Sequence, residues 1–329
     1  MNRGLVLGTL VAADALSAAV GSGPAAARGQ AAVPPAPAAA AIQADKIADN
    51  LYLLRGGGRI VQAAGVSMPN AGNSVAFVTA TGVVLVDTKL PGWGAATLDK
   101  IRELTDKPVT MIINSHSHVD HVGGNLEFSP AVDIVAHENA AALMREMRPV
   151  AGGPPQPNLF TEQNGRGLPR RTFRDRMTIG EGADRIELYY FGRAHTSGDA
   201  WVVFPALRAV HAGDVFGNKV VPLLDANNGA SGVEYPQTVA RAIAALRDVD
   251  IVTTGHYPGV LTRSDLVRYG EFTREFVQAV QDAKRRGGTI DEFVASWKMP
   301  DRYVADGYLD FSALRSIRAD VEVIWNETP

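Results

Sequence analysis

The sequence predicts an α/β layered fold built on two sheets. Short runs of strand type, rich in Val and aromatics, come in two batches: one between Asn50 and Ala136, the other between Arg185 and Thr253. Each batch is interleaved with segments of helical period, the pattern of helices laid over sheets. Hydrophobic residues make up 46% of the 329 residues and charged residues 20%, enough apolar material for a large core.

Taken in order, residues 1–45 stand apart. Met1-Asn2-Arg3 carries one positive charge, Gly4 to Ala13 is mostly apolar, and Ala/Pro/Gly-rich sequence runs to Ala41. Ala25-Ala26-Ala27 offers small residues to a signal peptidase. The expectation is a bacterial export signal with a flexible leader, hence a periplasmic or secreted protein. No other stretch has 18 apolar residues, so no transmembrane span is expected. Residues 46–262 then form the expected catalytic domain. Asn50–Leu54, Ser74–Thr79 and Val83–Asp87 read as strands separated by turn signals. Gly56–Ala71 reads as a loop with the apolar tip Val66-Ser67-Met68-Pro69. Pro91–Leu104 reads as a helix, Val109–Ile113 and Asp133–Ala136 as strands, and Glu138–Met147 as a helix.

Residues 149–171, rich in Pro, Gly and Arg, read as a long loop, with Pro154-Pro155 and Phe160 as a possible wall of a site. Arg185–Phe191, Ala200–Phe204 and Arg208–His211 return to strand character. Val233–Leu246 is helical and Ile251–Thr253 a short strand. Residues 263–329 are expected to be a helical extension packed on the catalytic domain. Leu266, Tyr269, Phe272, Phe276, Val277 and Val280 fall on one helical face, after a Ser264/Asp265 cap and before Gly287-Gly288. Ile290–Trp297 and Phe311–Trp325 are further amphipathic pieces.

Composition narrows the chemistry. The net charge of −3 argues against a nucleic-acid partner, which would bring a basic excess. The absence of cysteine excludes thiolate nucleophiles, disulfides and Cys-ligated metals. Five of the seven histidines stand in loops that follow strands: His116, His118 and His121 after Ile113, His195 after Phe191, and His256 after Thr253. Asp214 follows another strand. Such loops are where α/β proteins assemble sites. In His116-Ser117-His118-Val119-Asp120-His121, alternation puts the first two rings on one side, and four polar groups this crowded are costly to bury without a partner. Imidazole and carboxylate donors suit zinc when thiolate is absent. Three groups, three more and a bridging carboxylate describe a two-metal site, whose ions ~3.5–4 Å apart can hold a hydroxide and polarise a carbonyl.

These residues resemble the metallo-β-lactamase superfamily. The matching stretches are Val83-Val84-Leu85-Val86-Asp87-Thr88, Asn114-Ser115 continuing through the His116 motif to Val122-Gly123-Gly124-Asn125, Ala194-His195-Thr196-Ser197-Gly198-Asp199, His211-Ala212-Gly213-Asp214 and Thr254-Gly255-His256. They cover roughly Asn50 to Leu261 in the family's order. The resemblance implies a four-layer αβ/βα sandwich with metals at one edge between the sheets, and two zinc ions per chain. It implies that His116, His118 and His195 hold one metal, that Asp120, His121 and His256 hold the other, and that Asp214 bridges. Asp87 would steady the histidine loop without touching metal. His137 matches no ligand and reads as surface or rim; His211 reads as core or as a neighbour of the ligands.

The implied activity is hydrolysis of an ester, thioester, lactone or amide, with Asp120 orienting the nucleophile and passing its proton to the leaving group. Many β-lactamases of the family carry cysteine at the Asp214 position and a lysine three residues on, where this chain has Gly217, with Lys219 two further. Lactam hydrolysis is one alternative. A mononuclear iron thiol or persulfide dioxygenase is another, and a non-catalytic binding protein a third. Met68, Lys219, Asn228 and Tyr257 are candidate contacts to a small-molecule substrate, Tyr257 as a donor to an oxyanion.

Overall fold

The computed structural model describes residues 39–58, 60–63, 66–69, 71–153, 155–310 and 316–329, with side chains described outside 59–70. The expected export signal lies outside the described residues, as do Pro154 and the start of the Phe311–Trp325 piece. The elements are β1 (Ile42–Ala48), β2 (Leu51–Gly56), β3 (Ile60–Ala63), β4 (Val66–Pro69), β5 (Ser74–Val78), β6 (Val83–Val86), α1 (Gly94–Arg102), β7 (Val109–Asn114), α2 (Val119–Val122), β8 (Asp133–His137) and α3 (Glu138–Glu146). They continue with β9 (Arg171–Phe173), β10 (Arg176–Ile179), β11 (Ile186–Tyr189), β12 (Trp201–Phe204), β13 (Ala209–His211), α4 (Tyr235–Ala245), β14 (Ile251–Thr253), α5 (Arg263–Arg285), α6 (Ile290–Ser296), α7 (Asp301–Ala305) and α8 (Arg318–Glu327).

One sheet has the order β1-β2-β5-β6-β7-β8-β9 and the other β10-β11-β12-β13-β14, while β3 and β4 form a separate hairpin. Continuous apolar strands explain the layering, because alternate residues fill different layers. Val84, Val86 and Ile113 of the first sheet meet Leu188, Val202 and Phe204 of the second in a shared core. Val83, Leu85 and Ile112 point the other way, onto Ala96 and Ile101 of α1. Trp201, Val203 and Val210 pack outward against Val239 of α4 and Leu266, Tyr269 and Phe272 of α5. Helix, sheet, sheet, helix is the expected four-layer sandwich, and the helical tail packs on its outer layer. Among the described residues no helix is long and apolar enough to cross a membrane.

Several elements depart from the sequence reading. β1 begins at Ile42, inside the stretch read as leader, and pairs with β2 along its length. β9 and β10 were not expected: they are short and Arg-bearing, and β10 sits at a sheet edge where only one neighbour is needed. Gly56–Ala71 is mostly the β3–β4 hairpin, so Val66–Pro69 is a strand and not a tip. Phe160 lines no wall. It is buried in a small core with Val122, Met144 and Met147. The cap of α5 is Thr262, whose hydroxyl accepts from the Asp265 amide while the Asp265 carboxylate accepts from the Thr262 amide, a capping box that begins two residues before Ser264.

Candidate metal centre

β6 runs parallel to β7, and β13 parallel to β14. Their carboxyl ends deliver Asp87, the His116 loop, Asp214 and His256 to one edge of the sandwich, where open α/β sheets place ligands. His195 arrives on the loop between β11 and β12. The structure thus brings all seven sequence-selected ligands together. His116, His118, His195 and Asp214 form one cluster, and Asp120, His121 and His256 a second, each with its donor atoms within 4.8 Å of one another. Asp214 lies between them. Its Oδ2 is 3.6 Å from His195 Nε2 and 3.3 Å from His256 Nε2, and its Oδ1 is 3.5 Å from His121 Nε2. Asp120 Oδ2 is 3.2 Å from His256 Nε2. Gly255 allows this approach, since a Cβ there would collide with Asp214 Oδ1.

The proton inventory shows what the centre is built to hold. His118 Nε2–H donates to Asp225 Oδ2 at 2.7 Å, leaving Nδ1 bare. His195 Nδ1–H donates to the Leu223 carbonyl at 2.8 Å, leaving Nε2 bare. Those two bare nitrogens face each other at 3.0 Å. His121 Nδ1–H donates to Asp87 at 2.8 Å, and its Nε2 faces His256 Nε2 at 3.4 Å. The Ser115 hydroxyl donates to Asp87 at 2.6 Å, so its oxygen accepts from His116 Nδ1–H at 3.0 Å. His116 Nε2 and Asp214 Oδ1 are buried with no hydrogen-bond partner. The bare nitrogens of His116, His118 and His195 converge with Asp214 as a cation's coordination sphere requires, and the all-nitrogen-and-oxygen donor set of both clusters suits divalent zinc. The residues fit the metals the resemblance implies.

Electrostatics splits the rings into two pairs. Burial, then the neighbouring His121 and His118 rings, hold His116 well below the usual imidazole range. Burial and His118 also lower His195. For His121 and His256 burial acts the same way but is outweighed: Asp120 and Asp214 raise both. Burial opposes ionisation of Asp214, yet His256 and His121 hold it well below the usual carboxylate range.

Asp87 comes within reach of His116 and His121, but its carboxylate accepts from the Ser115 amide at 2.7 Å, the Ser115 hydroxyl and His121. Those bonds make it an orienting group. Its backbone is left-handed, φ 59°, and so is that of Lys89, φ 69°. Each such residue costs of order 1–3 kcal/mol and persists where its surroundings fix it. Lys89 is fully buried, and burial pulls its ammonium down to about 7 against the opposing charges of Asp87 and Asp120.

The other selected residues lie elsewhere. Lys219 Nζ donates to Asp265 at 2.8 Å and to the Asp306 carbonyl at 3.2 Å, tying its loop to the helical tail. The Asn228 amide donates to Asp225 at 2.6 Å and is buried. Tyr257 is half-buried beside His256, its amide accepted by the Gly217 carbonyl. Met68 lies in β4, its side chain outside the described set. His137 is not at the surface: it is buried, caps α3 by accepting from the Asn139 amide, donates to the Arg174 carbonyl at 2.7 Å and stacks on Tyr190. His211 is core, as expected, with Nε2 3.8 Å from Asp87. Asp225 is the residue the sequence reading missed. It also accepts from the Ala151 amide at 2.9 Å and the Asn227 amide at 3.1 Å, joining two loops to His118.

A model of the metallo-beta-lactamase superfamily matches residues 68–256. The chain belongs to the metallo-β-lactamase superfamily. Among the relatives the chain is similar to, the 2,4-dinitroanisole O-demethylase subunit alpha of Nocardioides sp. (strain JS1661) is 28% identical over 221 residues, 65% of this chain and 60% of that protein. The chain therefore spans less than two thirds of that relative. The metallo-beta-lactamase type 2 of Elizabethkingia meningoseptica is 26% identical over 196 residues, 56% of this chain and 69% of the relative. The solved metallo-beta-lactamase from Pontibacter korlensis superposes with a TM-score of 0.57 at 20% identity, over 71% of this chain and 99% of that one. The metallo-beta-lactamase from Erythrobacter litoralis gives 0.56 at 20% identity, over 71% and 97%. At such identity the likeness is one of fold.

Proposed function

We propose that this chain is a dinuclear zinc hydrolase acting on a carbonyl substrate: an ester, thioester, lactone or amide. The observation that carries the reading is the Asp214 carboxylate, 3.3–3.6 Å from ring nitrogens of both clusters. In this reading His116, His118 and His195 hold one zinc, Asp120, His121 and His256 the other, and Asp214 joins them. When bound, such a pair acts as a Lewis acid and brings the pKa of a water toward neutrality.

The chain's own residues do the rest. Asp225, Leu223 and Ser115 fix the tautomers of His118, His195 and His116 by taking their outward protons. Asp87 does the same for His121. Asp120, beside His256 at the half-exposed mouth of the centre, accepts the proton of the attacking water at its Oδ and returns it to the leaving group. Tyr257 lies next to His256 in sequence, but its ring packs on the outer apolar core and faces Lys219 Nζ at 6.0 Å, so it is not assigned as donor to the developing oxyanion.

Lactam hydrolysis is the second reading, favoured by the similarity to the type 2 metallo-beta-lactamase. Asp214 in place of cysteine, Gly217 in place of lysine, and Lys219 engaged by Asp265 weigh against it. The dinitroanisole demethylase relative adds aryl ethers to the bonds worth testing. A mononuclear iron thiol or persulfide dioxygenase would leave His121 and His256 without a task.

The test is metal analysis of protein purified without added metal, followed by chromogenic esters, thioesters, lactones, lactams and aryl ethers on the zinc-loaded form. Two zincs and carbonyl hydrolysis are expected; one iron and no hydrolysis contradicts the proposal. His118→Ala is expected to lose metal and turnover while keeping its far-UV spectrum, and normal turnover in that variant removes the scheme.

A further inference from the structure

One buried cation near the centre is not explained by ligand geometry. Lys89 is 0% exposed, a rare place for an ammonium unless it is paired. Its Nζ donates to the Leu54 carbonyl at 2.9 Å and the Gly72 carbonyl at 2.8 Å. These two carbonyls stand on opposite flanks of the β3–β4 hairpin: Leu54 in the strand that leads in, Gly72 just after the chain returns. A second bond crosses the same neck, Ala71 amide to Gly57 carbonyl at 3.4 Å. Lys89 therefore staples the hairpin shut at its base.

The residues leaving that neck reach one half of the centre. The Gly72 amide donates to the Asp120 carbonyl at 3.1 Å, and a Cβ on Gly72 would strike the His121 ring. The Asn73 amide donates to the Gly255 carbonyl at 2.6 Å, and its side-chain amide donates to the carbonyls of Thr254 at 3.0 Å and Tyr257 at 2.8 Å, on both sides of His256. The partners of His116, His118 and His195 are Ser115, Asp225 and Leu223, on other segments.

We propose that Lys89 is a positioning residue for the Asp120–His121–His256 half of the centre, acting through the Ala71–Asn73 strap that it anchors. The inference rests on the two-cation reading and adds an asymmetry to it: one half depends on the neck of the hairpin and the other does not. Substituents that orient ligands without touching metal typically change affinity by about 10–100-fold, and here the change should fall on one equivalent alone.

The experiment is stepwise zinc titration of the full metal-free chain against a chromogenic chelator, for wild type, Lys89→Met and Asn73→Ala, with amide hydrogen exchange of residues 71–73. In Lys89→Met the first equivalent is expected within about threefold of wild type, the second weakened at least about tenfold, and the strap amides exchanging faster. Asn73→Ala cuts the same chain of contacts one link further on without removing the buried charge, and is expected to show the same selective loss if Lys89→Met fails to fold. Equal weakening of both equivalents, or of neither, overturns the proposal. A wild-type chain that takes up fewer than two zincs removes the two-cation reading itself, an outcome distinct from two zincs held equally by wild type and variants.

Discussion

At the scale of the residue, the centre is a problem of where protons are. For His116, His118 and His195 the inward-facing ring nitrogen is bare because a named acceptor takes the outward proton, and Asp225 is the most heavily bonded of those acceptors. Asp225→Asn keeps the shape and removes the charge. It should weaken zinc at the His118 position by about 10–100-fold, read by chelator competition; unchanged affinity would show that Asp225 only braces its loop. The rings also titrate unequally. His121 and His256 are raised by Asp120 and Asp214 above the ordinary 6.5, whereas burial and neighbouring rings hold His116 and His195 below it. At neutral pH zinc entering the His121–His256 half must expel protons. Its affinity should therefore rise as pH climbs through neutrality, whereas His116 and His195, held below 6.5, give up no proton there. Stepwise calorimetry in buffers of different ionisation enthalpy counts the protons released, and equal release at both steps contradicts the assignment. The candidate ligands His116, His118, Asp120 and His121 were legible because four polar groups after an apolar strand have no packing purpose, whereas His195, Asp214 and His256 gained their weight from the resemblance. Asp225 was not legible, because Asp-Ala-Asn-Asn-Gly reads as turn chemistry and its partner is 107 positions away.

At the scale of the element, both faces of a strand being apolar predicted burial on both sides, and Val83–Val86 and Trp201–Phe204 show it by alternating between two cores. β1 escaped notice because its Ala, Lys and Asp residues carry little strand propensity; its pairing with β2 supplies what its composition does not. Lys219 was read as a hand for substrate because its bond to Asp265 spans 46 positions that no local pattern reveals. The face of α5 was legible from period alone: Leu266, Tyr269, Phe272, Phe276, Val277 and Val280 are all buried. Phe276 packs edge-on against Trp297 at 5.2 Å. Phe276→Ala should destabilise the chain by about 3–5 kcal/mol, seen as a lower denaturant midpoint, with zinc stoichiometry unchanged; loss of zinc at constant stability would mean that the tail bears on the centre directly.

At the scale of the whole molecule, the two sheets present parallel strand pairs whose carboxyl ends share one edge, and this topology carries seven side chains spread from His116 to His256 to a single place. Periodicity could give two sheets and their helices, but not their order; the resemblance implied the four layers, and the strand order is seen in the pairing of β6 with β7 and β13 with β14. The central claim is that this edge holds two cations joined by Asp214. Anomalous diffraction at the zinc absorption edge, on crystals of the zinc-loaded chain, tests it most directly. Two peaks on either side of the Asp214 carboxylate, one within the His116–His118–His195 set and one within the Asp120–His121–His256 set, are the predicted result; a single peak, or peaks away from these residues, would contradict it.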